Sequence, residues 1–475
     1  MVDIIIIGAG VVGSLIARSL SQYEVSVLVL EKENDVGDVT SMANSAIVHS
    51  GYDPLPGTKK ALYNVEGNAM YPALCRDLDV PFGPVGSLTI ALSDAQVEVL
   101  KDLQKRGEEN GVATKLLSAD EVKAMEPNVS PEVKGALLCP TAGVVNPFVL
   151  TAHAMENAID NGAKLHLDEA VTGIKRVKDH FEVKTTKALY EAKVVINCAG
   201  LHSEEIAKMI EPVDWKINPR KGEYYVLDHY APGLVNHVLF PLPSEKGKGI
   251  LVTMTTSGNY LVGPSSEVIE DKEDFSTDAL TLADVKRQAM MMVPNIPFRE
   301  QIRVFAGLRA TPSTHDFIIE ASKAYKEFIN VAGIESPGLA SSPAIAMHVT
   351  DELVAPVIAL KPKKSFNPKV KKYINLQSMS LEERNALIKK DPNFGEMICN
   401  CEKISKGEIL DILGRSLPCK TIKALKKRSR AGFGKCQGGF CQPKVLLLLA
   451  EYYHLSPLEV LYDKDGSEIL AKESK

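Results

Sequence analysis

The sequence predicts an α/β protein in three parts: a Rossmann-like dinucleotide-binding domain, a second domain on an antiparallel sheet, and a small, mainly helical C-terminal domain. Three observations predict it. An apolar run, Ile4 to Ile7, leads into Gly8-Ala9-Gly10-Val11-Val12-Gly13, a helical stretch from Ser14 to Gln22, and a second apolar run, Val25 to Leu30, that stops at Glu31. Alternating polar and apolar residues over Asn218 to Asp228 and Leu239 to Pro264 read as antiparallel strands. Five of the eight cysteines, Cys399, Cys401, Cys419, Cys436 and Cys441, crowd into the last quarter of a 475-residue chain, which is too long for one domain.

The first stretch is strand, glycine turn, helix, strand and acid, in the order a dinucleotide site needs. Gly8 permits the tight turn, Gly10 lets a pyrophosphate approach the backbone, and Gly13 lets the helix pack on the strand. The helix N-terminus offers unpaired N–H groups and partial positive charge to phosphate. Glu31, eighteen residues after Gly13, is placed to accept hydrogen bonds from both ribose hydroxyls, and its charge disfavours a 2′-phosphate. These residues suit FAD or NAD rather than NADP.

An apolar fraction of 45% and a charged fraction of 24% are those of a globular protein. The net charge of −5 argues against nucleic acid as a partner. No apolar run has the length of a membrane span, and Val2 to Val12 lacks the basic start of a signal peptide. The expected location is therefore cytoplasmic, with at most peripheral membrane contact through a partner. Clustered cysteines in that compartment point to metal or redox chemistry.

Along the chain, Glu33 to Pro54 reads as loop plus short helix, rich in the small and polar residues that suit a chain running against a flat polar ligand. Thr58 to Leu78 and Ala95 to Asn110 are expected helices, with a strand at Gly86 to Leu92 between them and a capping box at Ser118 to Glu121 after them. The helix from Pro147 to Asn161 carries its proline where helices tolerate one. Strands follow at Ala163 to Leu167, Val171 to Val177 and His180 to Thr186. Ala192 to Ile196 runs into Asn197-Cys198-Ala199-Gly200, small residues that let a loop pass close to a cofactor, with Cys198 a buried packing residue. Phe305 to Arg309 and Phe328 to Gly333 return to buried-strand character. Gly333 to Pro343 then leads into an apolar helix, Ala344 to Leu360, a second junction able to aim N–H groups at a ligand. Lys361 to Lys372, basic with two prolines, reads as a linker. Ser380 opens a short helix whose capping box Glu383 closes.

Cys399-x-Cys401 and, thirty-four residues later, Cys436-x4-Cys441 put four thiolates on two loops. Gly432, Gly434, Gly438 and Gly439 leave room for inorganic sulfide. Four thiolates suit a [2Fe–2S] cluster or a structural zinc, and this spacing is unusual for zinc. Cys419 is read as non-ligating. Lys420 to Lys435 holds seven Lys or Arg and no acid. It reads as a solvated face that offsets the cluster's charge, with a docking patch for an acidic redox partner as the alternative. Val445 to Tyr453 reads as a helix packing this domain, and Ser456 to Glu459 as the cap of a last one.

The N-terminal fingerprint, the block Ser41…Asn44-Ser45…His49, the Cys198-Ala199-Gly200 strand end and the Ser336-Pro337-Gly338 junction resemble FAD-dependent oxidoreductases of the D-amino-acid oxidase group. Within that group they are most similar to the flavin-dependent glycerol-3-phosphate dehydrogenases and oxidases, with L-2-hydroxyglutarate dehydrogenases as close relatives. The resemblance covers residues 1–360. Residues 394–475 resemble the bacterioferritin-associated ferredoxin-like [2Fe–2S] domain, leaving 361–393 as linker. The resemblance implies FAD, bound by residues 1–75, 145–210 and 305–360, under a substrate domain from 76–144 and 211–304.

By the same resemblance, Gly8, Gly10, Gly13, Glu31, Thr40, Ser41, Asn44, Ser45, Val171, Ala199, Gly200, Gly333, Gly338 and Leu339 contact FAD. His49 is the base, or positions the substrate. Lys248 and Arg309 face a substrate phosphate, Arg220 is a further anion-binding candidate, and Ser336 bonds substrate or flavin. Cys399, Cys401, Cys436 and Cys441 hold the cluster. The expected reaction takes a small anionic hydroxy substrate, sn-glycerol 3-phosphate, to dihydroxyacetone phosphate. Hydride passes to flavin N5 while an imidazole near neutrality takes the hydroxyl proton, and electrons leave through the cluster to a partner protein. A 2-hydroxyacid dehydrogenase of the L-2-hydroxyglutarate type is the second reading, and a non-catalytic flavin and iron–sulfur subunit the third.

Overall fold

The computed structural model describes residues 1–230, 233–243 and 249–472. Its first sheet is built on the strand Val2–Ile7, which pairs in parallel with Val27–Leu30 on one side and Leu189–Asn197 on the other. Lys164–His166 and Phe328–Ala332 extend the parallel order. Ile4, Ile5 and Ile6 are wholly buried because both faces of the sheet are covered, as continuous apolar runs demand. Helices Val11–Leu20, Pro147–Asp160 and Gly338–His348 share one core on one of these faces. The hairpin Val171–Val177 and His180–Thr185 closes an edge in antiparallel fashion.

Among the described residues the second sheet has nine strands. Its longest pair is Ile217–Leu227 against Gln301–Pro312, antiparallel from Ile217↔Pro312 to Val226↔Arg303. The sheet is antiparallel except where Val238–Phe240 runs parallel to Ser87–Ala91. Phe305 to Arg309 therefore lies in this sheet and not in the part expected to start at residue 305. An apolar run does not say which sheet it joins; the long register with Ile217–Leu227 decides it.

Several local expectations change. Glu33 to Pro54 contains no helix. It is tied down by Gly37 N–H donating to Ala9 O at 3.0 Å and by the Asn44 side chain bonding Ser41 O and Ala46 N, and it forms only the short strand Ile47–Val48. The helix after the second junction starts earlier than expected, at Gly338, and ends in a π-helical stretch, Val349–Val354. Capping boxes form at Ser118/Glu121 and Ser380/Glu383, whereas Ser456/Glu459 caps only a 3-10 turn. Among the described residues no helix is long and apolar enough to cross a membrane.

Residues 361–378 are a docked strap, not a free tether. Glu24 N–H donates to Lys361 O and Lys363 N–H to Gln22 O, both at 2.7 Å. Asn157 and Asn161 hold Asn367 O, and Tyr373 packs on His153 with ring centroids 4.3 Å apart.

The C-terminal domain has a hairpin, Met397–Cys399 with Ile404–Ser405, and helices Lys406–Leu413, Ile422–Ser429 and Gln442–Tyr453 around its own core. The basic run is not a solvated face. Arg428 forks onto Asp35 at 2.6 and 3.1 Å, and Lys427 reaches Asp35 at 2.7 Å and Asp38 at 2.6 Å, with all four residues buried. Arg415 pairs with Glu156 at 2.9 Å, and Phe433 stacks on Phe148 at 5.7 Å. The acids come from a loop nearly four hundred residues away in sequence, so the run alone gives no sign of them.

Candidate active site and cluster site

A cleft of about 1200 Å3 opens between the two sheets. Its floor is the glycine turn. Gly8 has φ +103°, and a Cβ there would stand 2.5 Å from Cys198 O. A Cβ on Gly13 would stand 2.0 Å from Gly8 O, so helix and strand touch as the fingerprint requires. Ser41 Oγ accepts from Val11 N–H at 2.9 Å, placing a hydroxyl at the helix N-terminus beside Gly10. Glu31 accepts from Ala9 N–H at 2.6 Å and Glu33 N–H at 2.9 Å. Burial raises its carboxyl to about 7 against those donors. Thr40 Oγ1 donates to Leu308 O at 2.9 Å, fastening this loop to the second sheet.

Thr40, Asn44, Ser45, Val171, Ala199, Gly200, Ser336, Gly338 and Leu339 also line the cleft. Gly333 does not. Its φ is +66°, and a Cβ there would meet Pro312 at 2.6 Å, so it serves a tight turn under the wall. Lys248 lies outside the described residues. The turn of N–H groups, the acid at the second strand's end and the long cleft fit FAD.

His49 lies on the cleft wall with its ring 5.5 Å from that of Phe240. Its carbonyl accepts from Asn64 at 2.6 Å and Asn68 at 3.1 Å, which fixes the backbone under the imidazole. Arg220 and Arg309 are direct cross-strand partners, and both line the cleft. Arg309 Nη2 donates to Ser265 O at 2.8 Å, in space that Gly222 leaves open: a Cβ on Gly222 would stand 2.6 Å from Nη2. Burial pushes the Arg309 pKa down. Arg220 Nε is buried without a hydrogen-bond partner. Neither guanidinium has a carboxylate ion-pair partner among the described residues, and like charges directly opposite repel. An anion between them removes that repulsion.

Sequence reasoning did not single out Tyr224, Lys60 or Glu335, which also line this end. Tyr224 OH shares a hydrogen bond with Ser45 Oγ at 3.0 Å, and its ring stacks on Phe305 at 4.6 Å. Its place four residues after Arg220 on one strand was the available signal, because side chains at even spacing share a face. Lys60 pairs with Glu335 at 2.7 Å across the junction before helix Gly338–His348. No local pattern marks that pair.

In the C-terminal domain the thiols pair across the two loops. Cys401 and Cys436 Sγ atoms are 3.7 Å apart, and Cys399 is hydrogen-bonded with Cys441. The Cys441 thiol holds Cys399 down at about 6 against burial, helped by N–H groups of Glu402, Gly432 and Cys401. Burial raises Cys436, but Phe440 and Gly438 N–H groups bring it below its ordinary value. Thiolates cradled by amides in a two-by-two arrangement suit two irons with two thiolates each. Cys419 lies apart, its sulfur accepting from Arg428 Nη1 at 3.7 Å.

Fold and site define the class: residues 3–352 match the FAD dependent oxidoreductase family and residues 397–451 the BFD-like [2Fe-2S] binding domain. The chain belongs to the FAD-dependent oxidoreductases and carries a C-terminal [2Fe–2S] domain; FAD and a [2Fe–2S] cluster are its cofactors. It is 44% identical over 476 residues to the glycerol 3-phosphate dehydrogenase of Caloramator mitchellensis, covering 100% of this chain and 99% of that one. It is 32% identical over 377 residues to the glycerol 3-phosphate oxidase of Mycoplasma genitalium, covering 77% of this chain and 97% of that one. The solved dithionite-reduced L-alpha-glycerophosphate oxidase of Mycoplasma pneumoniae with FAD bound superposes with a TM-score of 0.74 at 29% identity, covering 78% of this chain and 98% of that one.

Proposed function

We propose that this chain oxidises sn-glycerol 3-phosphate to dihydroxyacetone phosphate. The paired arginines Arg220 and Arg309 carry the reading, because they bring two guanidiniums together on the cleft that His49 also lines. Relatives named for glycerol 3-phosphate support it. Arg309 forks onto phosphate oxygens and Arg220 adds a second charge-assisted contact; Lys248 is expected to contribute a point charge. His49 takes the proton from the secondary hydroxyl, while the carbon gives up hydride. Ser336 and the Ser45–Tyr224 pair orient the hydroxyl end. The glycine turn and Ser41 hold the FAD pyrophosphate, and Glu31 the ribose. Bound FAD supplies the two-electron acceptor, and the cluster held by Cys399, Cys401, Cys436 and Cys441 a one-electron exit.

An electron exit to a partner protein is part of the proposal. Phe433, in the segment between the cysteine pairs, stacks on Phe148, and nearby Val145 N–H donates to Ala46 O on the cleft wall. Each substrate yields two electrons and two protons, so two one-electron carriers are reduced.

An anaerobic titration of the holoenzyme with glycerol 3-phosphate tests this. Flavin bleaching followed by the EPR signal of a reduced [2Fe–2S] centre is the expected result. Bleaching with L-2-hydroxyglutarate alone would move the substrate to the 2-hydroxyacids, and bleaching without the EPR signal would remove the exit through the cluster.

A further inference from the structure

We infer that the outward edge of the cluster domain is a docking face for an acidic electron-carrier protein; this rests on the electron exit proposed above. Phe433, Arg415, Lys427 and Arg428 face the flavin-binding part and are engaged by it. The four-thiol site reaches the surface at Cys401, while Cys399 and Cys441 are buried; beside it, Arg430 bonds Asn259 at 2.9 Å and Lys435 bonds Glu300 at 3.2 Å, so this edge borders the second sheet's domain. Phe440, one residue before Cys441, is 83% exposed. Leu447 on the following helix and Met397 before Cys399 are also exposed, and Lys444 Nζ donates to Met397 O at 3.2 Å, joining these segments. A large apolar side chain held in solvent inside a cofactor loop is the mark of a contact surface.

The charges around it select the partner. Lys403 and Lys444 are exposed, while Lys435, also exposed, is paired with Glu300 at 3.2 Å. Of the nearby acids, Glu402 is turned onto Arg430 at 2.7 Å and Glu396 lies 3.6 Å from Lys406. The rim is therefore basic around an apolar centre. The complementary surface is an apolar patch ringed by carboxylates on a protein small enough to bring its own redox centre near Cys401.

The test uses the holoenzyme and 15N-labelled ferricytochrome b5 as an acidic one-electron carrier. Expected are shift changes on its acidic face and an affinity that falls about tenfold from low to physiological salt. Lys403→Glu with Lys444→Glu, and separately Phe440→Ala, are expected to weaken binding about tenfold, whereas Lys123→Glu on a distant helix leaves it intact. Absence of binding, preference for basic ferricytochrome c, indifference to the three substitutions, or concentration-dependent self-association of the holoenzyme that Phe440→Ala abolishes would each overturn the face. Failure of the underlying exit looks different: substrate bleaches the flavin without reducing the cluster, whatever the binding result.

Discussion

Arg309 is held by one backbone carbonyl, one missing Cβ and its place opposite Arg220. Arg309→Lys keeps the charge but loses the planar fork. The expected cost is about 1.5–3 kcal/mol, seen as a 10- to 150-fold rise in KM for glycerol 3-phosphate with a smaller change in kcat. Gly222→Ala, which crowds the guanidinium, is expected to move KM the same way. An unchanged KM in both would end the role of this anion site. His49→Asn is expected to lower kcat roughly 10²- to 10⁴-fold with little change in KM, read by stopped-flow flavin bleaching. The aspects of these residues visible in sequence were type and order. The pairing of Arg220 with Arg309 was not, because it depends on the register of two strands far apart in sequence.

The helix Ile422–Ser429 is the element whose role changed most between sequence and structure. Its positive charges lie against Asp35 and Asp38, so it clamps the cluster domain to the loop that lines the cleft. Asp35→Asn would leave Arg428 buried without its counter-charge, a loss of about 3–5 kcal/mol. Faster proteolysis within residues 361–393 and looser docking in small-angle scattering are the expected outcomes. Burial alone would raise Asp35, but Arg428 and Lys427 hold its carboxyl at about 2. A depressed carboxylate stabilises the docked form above its unfolded value near 4 and loses that contribution as pH falls toward 2. Asp38 shifts upward instead, through burial, so the difference between wild type and Asp35→Asn isolates Asp35. Docking in the wild type should weaken over pH 4 to 2 more steeply than in the variant; parallel curves would contradict the clamp.

At the scale of the whole molecule, two cofactor sites are built in separate cores and fixed relative to one another by buried charge and by the 361–378 strap. Cys441→Ser removes a thiolate from the buried pair. Purified protein is expected to lose the visible absorbance and iron of the cluster and to show a lower melting temperature for the C-terminal core; retained iron at two per chain would reassign the ligands. The sequence by itself determined the dinucleotide turn, the four-thiol pattern and most helices and strands, because each rests on short-range chemistry: glycine geometry, capping, period and spacing. Only the tertiary structure decided that Phe305 to Arg309 joins the second sheet, that Gly333 stands behind the wall, that the thiols pair across loops, and that the middle of the basic run, Lys426 to Arg428, is buried. Those outcomes depend on strand register and on partners hundreds of residues distant, where local patterns carry no information about what a side chain will meet.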